Sequence, residues 1–190
     1  MVGLSGAPRA RIARTVRRVR ILAVCGSLQS QSGNLTLLQV ATAAAPAGVV
    51  VFVFDGLRDL PHFNPDLEAN GEAPPPAVAE WRRVLGESDA LLIATPEYGH
   101  SLPGALKNAI DWVIGSGELG GKVVGITAAV PALERGRRGL GALRDTLGAV
   151  RATVVGGEPI ARGPSFEGEV ASLVSAVVAA ARENGERSGN

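Results

Sequence analysis

Short apolar runs that alternate with helical segments constrain the fold of this chain more than any other feature. The apolar runs occupy residues 19–25, 49–54, 90–95, 122–127 and 152–155. They contain many β-branched residues and few polar ones, which is typical of strands buried on both faces. The helical segments occupy residues 34–45, 77–86, 102–114, 137–148 and 169–182. Five successive pairs of strand and helix predict a five-stranded parallel sheet with helices on both faces.

The alternation forms one continuous stretch, which predicts a single domain at residues 19–184 of the 190-residue chain. We interpret residues 1–18 as a disordered, arginine-rich extension rather than a functional arm, and residues 185–190 as a polar tail. The extension lacks the apolar stretch of a secretory signal peptide. No apolar run in the sequence reaches the roughly 18 residues of a transmembrane helix, so we expect no membrane partner.

Charge and cysteine content argue against several other classes of function. Residues 1–18 hold five arginines and no acid, and the remaining residues carry 14 basic and 18 acidic side chains, a net charge of −4. A nucleic-acid-binding domain carries its positive charge on a folded face, so we expect no nucleic-acid partner. The single cysteine, Cys25, excludes an intramolecular disulfide and favours a reducing, cytoplasmic location. With only two histidines as well, we expect no metal site.

The loop after the first strand is suited to an anion. This loop one, residues 26–34, reads Gly-Ser-Leu-Gln-Ser-Gln-Ser-Gly-Asn. It brings three hydroxyls and several backbone N–H groups to a helix N-terminus, where the helix dipole favours a phosphate. It matches neither the dinucleotide-binding nor the P-loop glycine pattern, so a single terminal phosphate fits better than a pyrophosphate. A simple helix cap would need one polar residue, and this loop supplies six.

The loop after the third strand is suited to a planar ring. This loop two, residues 95–104, reads Thr-Pro-Glu-Tyr-Gly-His-Ser-Leu-Pro-Gly. Its proline and glycines can shape a backbone platform, and Tyr98 can stack on or edge a ring. In open parallel sheets a ligand binds beyond the carboxyl ends of the strands, where the strand order reverses. We interpret the lone His100 as a surface residue and find no Ser–His–Asp order, so we assign no catalytic side chain.

Together these loops resemble the NADPH-dependent FMN reductase family, which includes bacterial quinone and chromate reductases and azoreductase-like proteins. The resemblance covers about residues 19–180. Its motifs are Gly26-Ser27-Leu28 with Ser32 and Asn34, Thr95-Pro96-Glu97-Tyr98, Pro103-Gly104 running into Leu106-Lys107-Asn108-Ala109-Ile110-Asp111-Trp112, and Leu60-Pro61 with Asn64-Pro65-Asp66-Leu67-Glu68.

The resemblance implies a flavodoxin-like three-layer α/β sandwich with strand order 2-1-3-4-5, and FMN bound at the strand ends. It implies that the FMN phosphate is surrounded by Ser27, Gln29, Ser32 and Asn34, with Gly33 also in the cofactor site. It also implies that the isoalloxazine is lined by Pro96, Glu97, Tyr98 and Gly99, with the segment from Thr127 approaching from the other side. Members of the family commonly form dimers or tetramers, so self-association is expected.

Three positions depart from the family pattern. Gln29 stands where the family usually has arginine, and Gly99 where it usually has asparagine. The segment after the fourth strand, usually rich in glycine and serine, reads Thr127-Ala128-Ala129-Val130-Pro131. These departures concern the binding of the phosphate and the access of nicotinamide rather than the fold.

The function expected from the resemblance is an FMN-dependent NAD(P)H oxidoreductase. NADPH or NADH would donate a hydride through bound FMN to a quinone or a similar acceptor, such as an azo compound or chromate. Two alternatives remain open: a non-catalytic, flavodoxin-like FMN carrier for electron transfer, and a flavin-free interaction domain. The carrier role favours a strongly acidic docking surface, whereas the body of this chain carries a net charge of only −4 from 14 basic and 18 acidic residues.

Overall fold

One parallel sheet with the strand order β2-β1-β3-β4-β5 organises the computed structural model, which describes residues 18–188. Its strands are β1 (Val19–Cys25), β2 (Val49–Phe54), β3 (Ala90–Ala94), β4 (Val123–Val130) and β5 (Thr153–Ala161). Each strand pairs in parallel with its neighbour, and β1 is flanked by β2 and β3. The fold class and the strand order predicted above are confirmed.

Helices cover both faces of this sheet and complete three layers. They are α1 (Gly33–Ala43), α2 (Pro76–Gly86), α3 (Gly104–Asp111), α4 (Arg137–Ala149) and α5 (Phe166–Ser188). Successive strand residues point to opposite faces, so Leu22 and Val24 join a core with α2, α3 and α4, whereas Ile21 and Ala23 join a core with α1 and α5. Both faces of the central strands are therefore buried, as their apolar runs predict.

The fourth and fifth strands are longer than the sequence pattern predicts. Their pairing continues to Val130 and Ala161 after a register shift between Ile126 and Ala128. The extra backbone is accommodated by Gly156 and Gly157, which have φ values of 75° and 108°. A glycine pair followed shortly by a proline resembles a loop in sequence, but here it forms an irregularity inside a continuing strand.

The two terminal segments predicted outside the domain are only partly described. The extension predicted for residues 1–18 lies outside the described residues apart from Arg18, as do residues 189–190 of the predicted tail. The final helix begins at Phe166 and reaches Ser188, so it continues beyond the apolar periodicity from which it is predicted. Within residues 18–188, no helix is long and apolar enough to cross a bilayer.

Close packing of α5 on the sheet depends on a glycine in the middle of β4. A Cβ placed on Gly125 would lie 2.4 Å from Cγ2 of Val177 in α5 and 3.1 Å from Cδ1 of Leu92 in β3. Both neighbours belong to the buried core, so neither can swing into solvent. The missing side chain at Gly125 thus sets how closely α5 approaches the sheet.

We predict that Gly125→Ala destabilises the protein by about 1–3 kcal/mol, because a methyl group must be forced into an already filled core. Urea unfolding followed by circular dichroism measures the change. The matched control is Gly141→Ala, at an exposed site in α4 with no heavy atom within 4 Å of an added Cβ. There alanine should stabilise by up to about 1 kcal/mol through helix propensity.

Val177→Ala tests the cause of this destabilisation, since it removes the group that the new methyl would strike. The double variant should be more stable than the sum of the two single changes predicts. Additive effects would show that Val177 does not limit the space at Gly125.

Candidate functional site

Loop one and loop two follow the neighbouring strands β1 and β3 and lead to opposite faces of the sheet. Loop one follows β1 and leads into α1, whereas loop two follows β3 and leads into α3. Helices α1 and α3 lie on opposite faces, so the two loops diverge at the carboxyl ends of paired strands. This divergence opens the crevice at which ligands bind in parallel α/β sheets.

Backbone contacts hold the bottom of this crevice closed. Gly26 N donates to Ala94 O at 2.9 Å, and Thr95 N donates to Thr127 O at 3.0 Å. A Cβ on Gly26 would lie only 2.3 Å from Oγ1 and 2.8 Å from Cβ of Thr95. Only glycine fits at this point, and its absence of a side chain brings the two loops into contact at their base.

Loop one presents hydroxyl and amide donors at the start of α1. The buried Ser32 is the N-cap of α1, and its Oγ accepts from Asn34 N at 3.2 Å. The buried Ser27 accepts from Gln29 N at 3.2 Å, which folds the loop back on itself, while Gln29 stays exposed. The first turn of α1 contains no acidic residue. This donor set suits an anion.

Asn34 has a second role that its sequence position does not reveal. Its side chain is buried, and Oδ1 accepts from Ala129 N at 2.8 Å. The start of α1 is thereby tied to the end of β4, two strands away from β1. The Nδ2 amide is left as the donor that this side chain can offer to a ligand.

A tight turn at the tip of loop two sets the position of Tyr98. Tyr98 and Ser101 exchange two backbone hydrogen bonds, each 3.0 Å long. The two residues between them, Gly99 and His100, have φ values of 56° and 64°. Positive φ at both central positions defines a type I′ turn, for which glycine and asparagine are favoured. Gly99 therefore meets the same backbone requirement as the asparagine usual in the family, and the Tyr98 side chain stands 55% exposed beside it.

Helix α4 supports loop two from the other side. Gly139 N in its first turn donates to Glu97 Oε2 at 2.9 Å, and Arg138 Nη1 lies 2.9 Å from His100 Nδ1. A Cβ on Gly139 would lie 3.0 Å from the Glu97 Cβ and 3.1 Å from the Ser101 carbonyl oxygen. Glu97 has no obvious partner in the sequence because that partner is a backbone N–H group forty-two residues away.

The side chain of Thr127, a predicted site residue, does not face the crevice. It lies within β4, is fully buried, and donates from Oγ1 to Glu158 O at 2.9 Å. The strand continues to Val130, so the loop after it begins only at Pro131. The other predicted residues lie in loop one and loop two, on the two sides of the crevice.

The long segment between β2 and α2 is held in place by the motif in α3. Pro61 O accepts from Asn108 Nδ2 at 2.9 Å and from Trp112 Nε1 at 2.8 Å, and Asn108 Oδ1 accepts from Phe63 N at 2.7 Å. Arg82 also forms an ion pair with Glu68 of this segment, donating from both Nη atoms to the carboxylate. These hydrogen bonds lower the pKa of the Glu68 carboxyl. The segment is partly folded into 3₁₀ turns at Gly56–Asp59 and Pro65–Gly71.

Comparison with known proteins agrees with this architecture. The model of the family described as NADPH-dependent FMN reductase matches residues 19–167. The NAD(P)H-dependent FMN reductase of Pseudomonas aeruginosa is 44% identical over 94 residues, which cover 50% of this chain and 49% of that protein. The quinone reductase of Pseudomonas putida is 41% identical over 91 residues, covering 48% and 47% of the two chains. The match thus spans about half the length of these curated relatives.

Among solved structures, the flavoenzyme FerB of Paracoccus denitrificans, an NAD(P)H:(acceptor) oxidoreductase, superimposes with a TM-score of 0.71 at 25% identity. The match covers 84% of this chain and 97% of FerB. The superposition therefore extends over most of the chain rather than over one motif.

We predict that Asn34→Ala lowers the free energy of unfolding by about 1–3 kcal/mol, because Ala129 N–H then loses its hydrogen-bond acceptor. Thermal or urea unfolding without added ligand measures this effect. Gln39→Ala, an exposed amide in the same helix, is the matched control and should stay within about 0.5 kcal/mol of the parent. Equal effects of the two changes would contradict a stabilising role for the bond between α1 and β4.

Proposed function

The chain belongs to the NADPH-dependent FMN reductase family, and on that premise we propose that it is an FMN-dependent NAD(P)H oxidoreductase reducing a quinone. The observation that supports this most directly is the pairing of two unlike loops across one crevice. Loop one offers neutral donors at a helix start, and loop two offers a rigid turn beside an exposed aromatic ring. A phosphorylated, planar cofactor matches both.

The donors in loop one suit the phosphate of FMN. The hydroxyls of Ser27 and Ser32, the Gln29 amide and the free N–H groups at the start of α1 would hold it, with Gly33 and Asn34 at the helix entrance. A Cβ on Gly33 would lie 3.7 Å from the Ala129 Cβ and 3.8 Å from Arg162 Nη1, so the end of β4 and the residue after β5 border this helix entrance. A second phosphate has no comparable cradle in this loop, which favours FMN over FAD.

Loop two suits the isoalloxazine. The backbone of Pro96, Glu97 and Gly99 would face the ring edge, and the Tyr98 side chain would pack against it. The bond from Gly139 N to Glu97 Oε2 and the Tyr98–Ser101 bridge keep this platform fixed before a ligand arrives. Such preorganisation reduces the entropy lost on binding.

Bound FMN would supply the redox chemistry, taking two electrons from NAD(P)H and delivering them to the acceptor. The protein's part is to bind and orient, and we assign no catalytic acid or base. The open side of the crevice would admit NADPH or NADH first and then the acceptor. A quinone is favoured as the acceptor because the relative from Pseudomonas putida is a quinone reductase. An azo compound or chromate would use the same face.

We further propose that the protein works in the cytoplasm as a dimer or tetramer. The single cysteine supports a reducing location. The exposed side chains of Tyr98 and Leu133 lie in loop two and just before α4, where a second subunit would cover them near the cofactor.

We predict that the purified protein binds one FMN per chain and oxidises NAD(P)H continuously when a quinone is present. Double-reciprocal plots at several quinone concentrations should give parallel lines, because both substrates use the same face in turn. A carrier would bind FMN without sustained NAD(P)H oxidation, and a flavin-free domain would show no flavin binding. Either result would reject the proposed activity.

We predict that Tyr98→Ala lowers the rate of quinone reduction severalfold while changing FMN affinity less, because Tyr98 faces the ring and loop one holds the phosphate. Steady-state rates and FMN fluorescence titration measure the two effects. Ile114→Ala, at a side chain that is 56% exposed just beyond α3, is the matched control and should leave both unchanged. An unchanged rate in Tyr98→Ala would place this residue outside the active site.

A further inference from the structure

Loop one has a phosphate site without a charged side chain. Residues 26–34 contain no lysine, arginine or histidine, and Gln29 can offer only a neutral amide. A phosphate monoester carries close to two negative charges at neutral pH. A helix N-terminus supplies the equivalent of about half a positive charge, so a further cation from elsewhere in the fold would strengthen binding.

An arginine from the far end of the sheet lies at this helix start. Arg162 directly follows β5, and its backbone N donates to Val130 O at 3.0 Å, which fixes its position. A Cβ placed on Gly33, the first residue of α1, would lie 3.8 Å from Arg162 Nη1 and 3.9 Å from its Cζ. The guanidinium is therefore in van der Waals reach of the helix entrance.

In this position the positive charge of the Arg162 guanidinium has no negatively charged partner among the described residues. Within residues 18–188, the Arg162 guanidinium has no ion pair and no hydrogen bond to another side chain or to the backbone. Neither the first turn of α1 nor loop one contains an acid. A cation beside a helix N-terminus is electrostatically unfavourable unless an anion lies between them. The arrangement points to a bound anion at this place.

A second arginine near loop one is already engaged. Arg58, in the 3₁₀ turn after β2, donates from Nη2 to Leu28 O at 3.4 Å. It lines a cavity together with Ser27 and Gln29, whereas Arg162 approaches Gly33 at the start of α1. The two residues carry the same charge and are both exposed, so Arg58 serves as a matched control.

We propose that Arg162 is the charge partner of the FMN phosphate in this protein. It supplies the positive charge that the neutral side chain of Gln29 lacks. The inference rests on the proposed function, because it names a residue that binds the phosphate of the same cofactor. Its guanidinium, anchored at the end of β5, donates to phosphate oxygens that also receive the N–H groups of α1. A charge-assisted hydrogen bond of this kind is stronger than one from a neutral amide.

The test compares FMN with riboflavin, which has the same ring and no phosphate. Both are titrated into the protein and into Arg162→Gln and Arg58→Gln, with quenching of flavin fluorescence as the readout. Arg162→Gln should weaken FMN about tenfold at low salt and leave riboflavin unchanged. The difference should shrink at high salt, because mobile ions screen the interaction. Arg58→Gln should change FMN affinity by less than about threefold.

Two further variants separate charge from structure. Arg162→Lys should recover part of the FMN affinity, because it keeps the positive charge. Gln29→Arg in the Arg162→Gln background should restore binding, because a guanidinium then reaches the phosphate from loop one itself. The melting temperature without flavin should be the same in all variants, since Arg162 has no side-chain partner to lose.

Each other outcome rejects a defined part of the argument. Equal losses for FMN and riboflavin, or no loss for either, would overturn the role of Arg162. If Arg162→Gln and Arg58→Gln weaken FMN binding equally, the effect comes from general electrostatics and not from a specific partner. That result would also overturn the role of Arg162. A parent protein that binds neither flavin would instead reject the proposed function, and the Arg162 assignment with it.

Discussion

The contact between Gly26 and Thr95 is the constraint on which the rest of the site depends. These residues follow the two central strands, and the Gly26 backbone packs so closely on the Thr95 side chain that a Cβ on Gly26 would lie 2.3 Å from Thr95 Oγ1. Above this contact the chain separates, toward α1 on one face of the sheet and toward α3 on the other. A larger residue at position 26 would push the loops apart at their base and change the width of the crevice. The missing side chain is thus a structural requirement that acts directly on the binding geometry.

Several residues of the motifs that carry the family resemblance stabilise the scaffold in this structure. Asn108 and Trp112 bind the carbonyl of Pro61 and so fix the long segment between β2 and α2. Asn34 ties α1 to β4 through Ala129 N. In each case a side-chain amide or indole satisfies a backbone group that no regular element would satisfy. A motif around a cofactor site therefore combines residues that touch the ligand with residues that position the loops.

Local patterns in the sequence are sufficient for the sheet, its helices and the two loops, and the family resemblance adds the strand order. Apolar runs without alternation identify β1 to β4 because buried parallel strands need them. The end of β5 is missed because Gly156 and Gly157 have the composition of a turn, and their role depends on pairing with β4. The contacts of Glu97 with Gly139 and of Arg162 with Gly33 are missed for a related reason. They join residues far apart in the chain, and no local pattern records which exposed arginine or glycine lies beside a distant loop.

The two sides of the crevice differ in how much sequence change they tolerate. Loop two depends on backbone angles: positive φ at Gly99 and His100 and a close approach to Gly139 allow few side chains at these positions. Loop one depends on charge and on N–H groups, and charge acts over several ångströms from any residue that reaches the helix start. On the proposal that Arg162 binds the phosphate, a cation missing at position 29 is replaced by the residue that follows β5, whereas a lost type I′ turn is not replaceable from elsewhere. This difference explains how the chain keeps the loop-two geometry while its charged residue beside loop one lies at Arg162, far away in the sequence.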